Sequence, residues 1–204
     1  MVRHLEYIIK PIPITKATTD KSVMTYLMNF NKPLEIVTYA WAIDGGERRI
    51  LVDTGCLAEQ QTASGFPSKQ IQLLEEGLEK IGWNVDDIDT VILTHLHLDH
   101  FANAEKFSRS NFIIQKGEYE AATHPHPAYK HLYATELIRE TFKRLNVRYI
   151  DGDQKIAEGI SVMVTPGHTP GGQTVLVNTA KGVAAITGFC CIRENICLLY
   201  TSDA

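Results

Sequence analysis

The residues best suited to chemistry lie in the segment THLHLDH, residues 94–100. His95, His97, Asp99 and His100 place three imidazoles and one carboxylate within six positions, directly after a short apolar run. Imidazole nitrogens and carboxylate oxygens are the ligands that zinc and similar divalent ions bind at about 2.0 to 2.2 Å. Because side chains alternate along an extended chain, His95 and His97 are expected to point the same way. The spacing therefore predicts a metal site.

The same segment has the residues for a second ion. If the chain turns after Leu98, Asp99 and His100 face a second point beside the first, and paired metals about 3.5 to 4 Å apart are common in hydrolytic sites. The alternative is that these residues form a solvated strand end, which is the better interpretation for a lone histidine such as His131. Four such groups in six positions favour the metal site.

Two further segments carry candidate site residues. ILVDTG, residues 50–55, ends a strand in Asp53, whose carboxylate is predicted to accept a hydrogen bond from a metal-bound histidine. Asp-Thr-Gly is also a common turn, and that alternative stays open. VTPGHTPGGQT, residues 164–174, holds His168 between two turns rich in proline and glycine. With the cluster, His168 is predicted to be a further ligand rather than a surface residue.

Composition limits the kind of protein. The chain has 204 residues, 44% of them apolar and 22% charged, with a net charge of -4, so one globular domain is expected and a nucleic-acid partner is not. The first twenty residues lack the apolar core of a signal peptide, and no segment has the length of a membrane span, which predicts a cytoplasmic protein without a membrane partner. Four cysteines are too few for a disulfide framework and are interpreted as thiols: Cys56, Cys190, Cys191 and Cys197.

The elements that must position these residues follow from the apolar pattern. Strands at 34–43 and 48–52 form a hairpin, and apolar residues at helical spacing predict a helix at 68–81 with Ser68 at its start. Hairpins followed by alternating strands and helices predict a mixed sheet with helices on its outer faces. The later predicted elements are strands at 90–94, 111–115, 147–150, 160–165, 173–178 and 182–187, and a helix at 133–145.

Two weaker features concern substrate access. His124 and His126 each precede a proline in the segment 120–132, which is predicted to be an irregular excursion and either a lid or a plain surface loop. Phe66 and Phe101 are candidates for an apolar pocket, although single aromatic residues more often belong to the core.

The end of the chain has an unusual sequence. CLLYTSDA, residues 197–204, can be back-translated into a transposon end used in sequencing libraries. We therefore expect residues 1–196 to be one incomplete domain and residues 197–204 to be adapter read-through.

The motifs ILVDTG, THLHLDH and TPGHTPGG, in this order, resemble the metallo-β-lactamase superfamily over residues 34–187. The resemblance implies an α/β fold, an αββα sandwich of two mixed sheets flanked by helices, with its C-terminal part missing here. Within the superfamily, VTYAWAID and IIQKGEYEAATH are most similar to the N-acyl homoserine lactonases, the quorum-quenching branch. The metals of this fold lie at one edge, between the sheets.

The resemblance also implies roles for individual residues. His95, His97 and His168 would hold one Zn²⁺, and Asp99 and His100 would hold a second. Asp99 would also take and return a proton. In the family a bridging aspartate follows the next strand, whereas Phe189 stands at or beside that position here. Cys190 is a candidate replacement ligand as a thiolate, the alternative being a buried, apolar-like cysteine.

The function implied is a zinc-dependent hydrolase that opens a lactone or a related ester of a small molecule, with N-acyl homoserine lactone as the leading substrate. Two alternatives stay open: a hydrolase of a thioester, a β-lactam or another small ester, and a degenerate member that binds metal without catalysis. The sequence does not indicate an oligomeric state.

Overall fold

Two β-sheets lie face to face in the computed structural model, which describes residues 6–25, 28–46 and 48–189. The larger sheet contains β1 (Ile8–Asp20), β2 (Pro33–Asp44), β3 (Ile50–Val52), β4 (Ser68–Gln70), β5 (Thr90–Ile92), β6 (Asn111–Gln115) and β7 (Asn146–Ile150). Its strand order is β4-β1-β2-β3-β5-β6-β7. The smaller sheet contains β8 (Gln154–Ala157), β9 (Ile160–Val164), β10 (Gln173–Thr179) and β11 (Gly182–Ile186), in the order β11-β10-β9-β8.

The larger sheet is mixed, as expected. β1, β2, β3 and β4 pair antiparallel, whereas β3, β5, β6 and β7 run parallel to one another. The parallel strands are short apolar runs because both of their faces are covered. In the smaller sheet the four described strands are all antiparallel.

Five α-helices lie within the described ranges: α1 (Ala58–Ala63), α2 (Leu74–Lys80), α3 (Leu98–Phe101), α4 (Lys116–Thr123) and α5 (Thr135–Phe142). Leu74, Leu78, Phe101 and Phe142 bury their side chains with Phe112 of β6, so the helices cover one face of the larger sheet. None of these helices is long and apolar enough to cross a membrane.

A second core fills the space between the sheets. The larger sheet contributes residues that are at most 4% exposed, among them Val52, Ile92 and Ile113, and the smaller sheet contributes Val162 and Val175. Strands β3, β5 and β6 therefore alternate, with one set of side chains in this core and the other set in the core beneath the helices. The layers are helices, mixed sheet and second sheet, which confirms the predicted α/β sandwich.

The predicted hairpin and the later predicted strands are confirmed, but the helix predicted at 68–81 is wrong at its start. Ser68–Gln70 is a strand that pairs antiparallel with residues 15–17 of β1, and the helix begins at Leu74. The backbone N–H of Leu73 donates to the Glu76 carboxylate at 2.9 Å and fixes that start. Ile71, the first apolar residue of the predicted helix, is 46% exposed and lies before the observed helix. The apolar spacing therefore predicted a helix start that is about one turn too early.

Three other predictions need correction. The segment 120–132 is not irregular throughout, since α4 extends to Thr123. Phe101 is fully buried in the core beneath the helices and lines no substrate cavity. Strand β1 was not predicted, because Pro11 and Pro13 argue against a strand. Strand β4 pairs only with residues 15–17 of β1, so at the two prolines β2 is the one neighbouring strand among the described residues. The prolines are tolerated because no strand on the other side needs a backbone N–H from them. Residues 197–204, interpreted above as adapter, lie outside the described residues.

Candidate metal centre

The predicted site residues come from three loops that meet at one edge of the two sheets. Asp53 directly follows β3, the THLHLDH segment follows the parallel neighbour β5, and His168 follows β9 of the smaller sheet. Parallel strands end at the same edge, which brings the first two loops together. Gln173 at the start of β10 joins the sheets there, because its backbone N–H donates to the Thr94 carbonyl at 2.9 Å.

His95, His97 and His168 converge on one point. Their ligand nitrogens all lie within 4.8 Å of one another, and Nδ1 of His97 is 3.1 Å from Nε2 of His168. Two nitrogens bound to one tetrahedral zinc ion would be about 3.3 Å apart. Nε2 of His95 is buried and has no hydrogen-bond partner among the described residues. A buried ring nitrogen without a partner is costly, and a cation at this point would satisfy it.

The three histidines are electrostatically suited to bind a cation. Burial lowers the pKa of His95 well below its usual value, helped by the neighbouring imidazoles. Burial and the His168 imidazole lower the pKa of His97 to about 4. The pKa of His168 is also lowered, mainly because neighbouring side chains exclude part of its ring from solvent, although the residue as a whole stays exposed. At neutral pH all three rings are therefore uncharged and present free lone pairs, the form that binds metal.

His100 lies beside this group but has different partners. Its ring centroid is 3.9 Å from that of His95, its Nδ1 is 2.7 Å from Oδ2 of Asp53, and its Nε2 is 3.6 Å from Oδ2 of Asp99. Burial opposes protonation of His100, but the two carboxylates outweigh burial and raise its pKa to about 9. The structure thus brings Asp99 and His100 together, next to the three-histidine group.

Asp53 is held in place by Thr94, a residue that the sequence interpretation missed. Asp53 adopts a positive φ of 57° and accepts hydrogen bonds from the Thr94 backbone N–H and hydroxyl, both at 2.8 Å. The only sequence signal for Thr94 is its position immediately before His95. Glu118 was missed as well: it is fully buried beside the histidine loops, and nothing in its local sequence indicates burial.

Two cavities are lined by residues of the histidine loops. The larger, about 580 Å³, is lined by Asp53, Asp99, His100 and Phe189 and by apolar residues that include Ile36 and Trp41. Phe189 is 43% exposed, and its ring lies 6.3 Å from that of His168. Cys190, the candidate replacement ligand, lies outside the described residues.

The smaller cavity, about 380 Å³, is lined by His97, His168, His124, His126 and Tyr133, among others. The loop with His124 and His126 therefore borders the three-histidine group. This is the position that the predicted lid requires. Phe66 lines neither cavity.

Comparison with known proteins finds similar sequences and similar structures. Residues 35–188 match the family model of the metallo-beta-lactamase superfamily. An N-acyl homoserine lactonase of Bacillus cereus is 31% identical over 189 residues, which cover 86% of this chain and 72% of that protein. A solved quorum-quenching N-acyl homoserine lactone lactonase superposes with a TM-score of 0.76 at 27% identity, over 91% of this chain and 74% of that one.

A second similar solved structure contains a bound product. It is an N-acyl homoserine lactone hydrolase with the product N-hexanoyl-L-homoserine at its catalytic metal centre. Its TM-score to this chain is 0.73 at 27% identity, over 90% of this chain and 75% of that one.

Proposed function

The chain belongs to the metallo-beta-lactamase superfamily and is a metal-dependent hydrolase, and from that premise we propose that it opens the ring of N-acyl homoserine lactones with zinc as its metal. The observation that carries the metal assignment is the buried Nε2 of His95, which has no described partner and faces the nitrogens of His97 and His168. The N-acyl homoserine lactonase of Bacillus cereus, 31% identical over 189 residues, supports the substrate.

His95, His97 and His168 would hold the zinc ion, because three neutral imidazoles are a common protein ligand set for catalytic zinc. When bound, zinc supplies Lewis acidity and an activated water near neutral pH. The three rings range from buried His95 through half-buried His97 to exposed His168, so the group is open to solvent on one side. Substrate and water can therefore reach it.

Asp99 is the proposed proton-transfer residue. Its carboxylate borders the larger cavity and is 34% exposed, so it can contact a bound substrate. In lactone hydrolysis, water adds its oxygen to the carbonyl carbon, the ring C–O bond breaks, and the leaving oxygen gains a proton. Asp99 would take the proton from water and return it to that oxygen.

A second zinc ion would have few protein ligands. Among the described residues, Asp99 and His100 are the proposed ligands, and Nδ1 of His100 already contacts Asp53. Phe189 borders the same cavity and offers no ligand atom. We therefore propose one tightly bound zinc ion, with a second held weakly unless Cys190 contributes a thiolate.

The test combines metal content with a substrate panel. The chain purified with zinc is analysed for metal per chain and assayed by proton release with N-hexanoyl-L-homoserine lactone, a thioester, a β-lactam and a simple ester. Faster turnover of the lactone than of the other three supports the proposal. Preference for another substrate would identify a different hydrolase, and bound metal without turnover would identify a non-catalytic member.

A further inference from the structure

Glu118 is a buried carboxylate that belongs neither to the histidine group nor to the Asp53 pair. It lies in the first turn of α4 and is fully buried. Its Oε1 accepts a hydrogen bond from the Leu96 backbone N–H at 2.9 Å, and its Oε2 accepts one from the Gly171 backbone N–H at 3.1 Å. The Tyr133 hydroxyl lies 3.4 Å from Oε1.

The two backbone partners of Glu118 lie in the two loops that carry the histidines. Leu96 stands between His95 and His97, and Gly171 follows His168 by three residues. One carboxylate thus connects a loop of the larger sheet with a loop of the smaller sheet. Tyr133 adds a third contact, because its ring lies 5.2 Å from that of His97.

Gly171 shows how closely the His168 loop approaches α4. A Cβ atom built on Gly171 would overlap the backbone N and Cα of Glu118. Both are backbone atoms and cannot move aside by a side-chain rotation. The absence of a side chain at Gly171 therefore permits the contact on which the hydrogen bond to Oε2 depends.

We propose that Glu118 is the positioning residue that sets the distance between the His95/His97 loop and the His168 loop, and so the metal affinity of the three-histidine group. This inference rests on the proposed function, in which these histidines bind the metal. Each carboxylate oxygen serves one loop, so the side chain acts through backbone N–H groups and touches neither metal nor substrate. Groups that orient ligands in this way commonly change metal affinity by about 10- to 100-fold.

A glutamine at position 118 distinguishes a positioning role of the carboxylate from a role in packing alone. Glu118→Gln keeps the size of the side chain but replaces one acceptor oxygen with an NH₂ donor, which would face a backbone N–H. One of the two loops then loses its hydrogen bond. Glu120→Gln is the matched control, because Glu120 lies on the same helix with a side chain that is 63% exposed and pairs only weakly with Lys116 at 3.7 Å.

The experiment measures zinc affinity of the full chain by competition with a chelator, together with the visible spectrum of the cobalt-substituted protein. For Glu118→Gln we expect a roughly tenfold or greater loss of affinity and an altered cobalt spectrum. Glu120→Gln should match the wild-type chain in both. A Glu118→Gln variant that is less stable without metal but has wild-type affinity and spectrum would overturn the proposal, because Glu118 would then serve only folding.

Gly171→Ala provides an independent test and decides the matter if Glu118→Gln does not fold. It leaves the carboxylate chemically intact but forces the His168 loop and the start of α4 apart, so weakened zinc binding supports the proposal and wild-type binding contradicts it. A wild-type chain that binds no metal would instead refute the proposed function. If the wild-type chain binds metal and neither substitution changes the zinc affinity, only the proposed role of Glu118 is refuted.

Discussion

The Asp53 carboxylate lies 2.7 Å from Nδ1 of His100, although 47 residues separate the two in the sequence. The contact arises because β3 and β5 are parallel neighbours, so the residues that follow them share one edge of the sheet. Asp53 thereby fixes which ring nitrogen of His100 faces the protein and which faces Asp99. The orientation of one candidate ligand thus depends on a loop that contains no ligand itself.

Replacing Asp53 with asparagine should impair both activity and stability. Asp53→Asn keeps the shape but points an NH₂ group at one of the donors on Thr94 or His100. We expect a loss of hydrolysis of about tenfold or more and a loss of unfolding free energy of about 1–3 kcal/mol in the metal-free chain. Steady-state kinetics and urea unfolding measure these. Asp86→Asn, at a 70% exposed side chain, is the control and should change neither.

Removal of one imidazole should abolish metal binding at the three-histidine group. His97→Ala leaves two imidazoles, too few for tight zinc binding, so metal content and lactone hydrolysis should both fall to background. Elemental analysis and the proton-release assay check this. His131→Ala removes an exposed histidine outside the group and should leave both values unchanged. An active His97→Ala variant would contradict the ligand assignment.

Gly188 should tolerate no side chain. It has a positive φ of 72°, and an added Cβ would overlap the Thr94 side chain that holds Asp53. Gly188→Ala should therefore destabilise the chain by about 1–3 kcal/mol and reduce activity. Gly117→Ala is the comparison, since Gly117 lies in α4 with open space around it. That variant should be neutral or up to about 1 kcal/mol more stable in urea unfolding.

A carboxylate at position 189 should strengthen binding of a second metal ion. Phe189 lines the same cavity as Asp99 and His100, and the resemblance to the lactonases places their bridging aspartate at or beside this position. Phe189→Asp should raise metal content from about one to about two ions per chain. Phe189→Asn introduces a side chain of the same size as aspartate but without the charge, so its metal content should stay at about one ion per chain. Equal metal content in the two variants would show that position 189 does not reach the site.

Several features could be predicted from local sequence because they depend on near neighbours in the chain. The alternation in THLHLDH puts His95 and His97 on one side of an extended segment, and the apolar runs around it predict buried strands. By contrast, the error at Ser68 arose because pairing with β1, which is more than fifty residues away, outweighed an apolar spacing that suited a helix. Strand β1 was missed for a related reason. Its prolines are compatible with a strand only because β4 pairs with residues 15–17 and does not extend to the prolines.

The sequence by itself indicated the type of chemistry, since imidazoles and a carboxylate at the spacing of THLHLDH are typical metal ligands. Only the tertiary structure decided which groups support them. Thr94, Glu118 and Gly188 have ordinary local sequences, and their roles come from contacts with loops that the two sheets bring together. Burial and long-range hydrogen bonding depend on the whole fold, whereas ligand type and spacing are properties of a few consecutive residues.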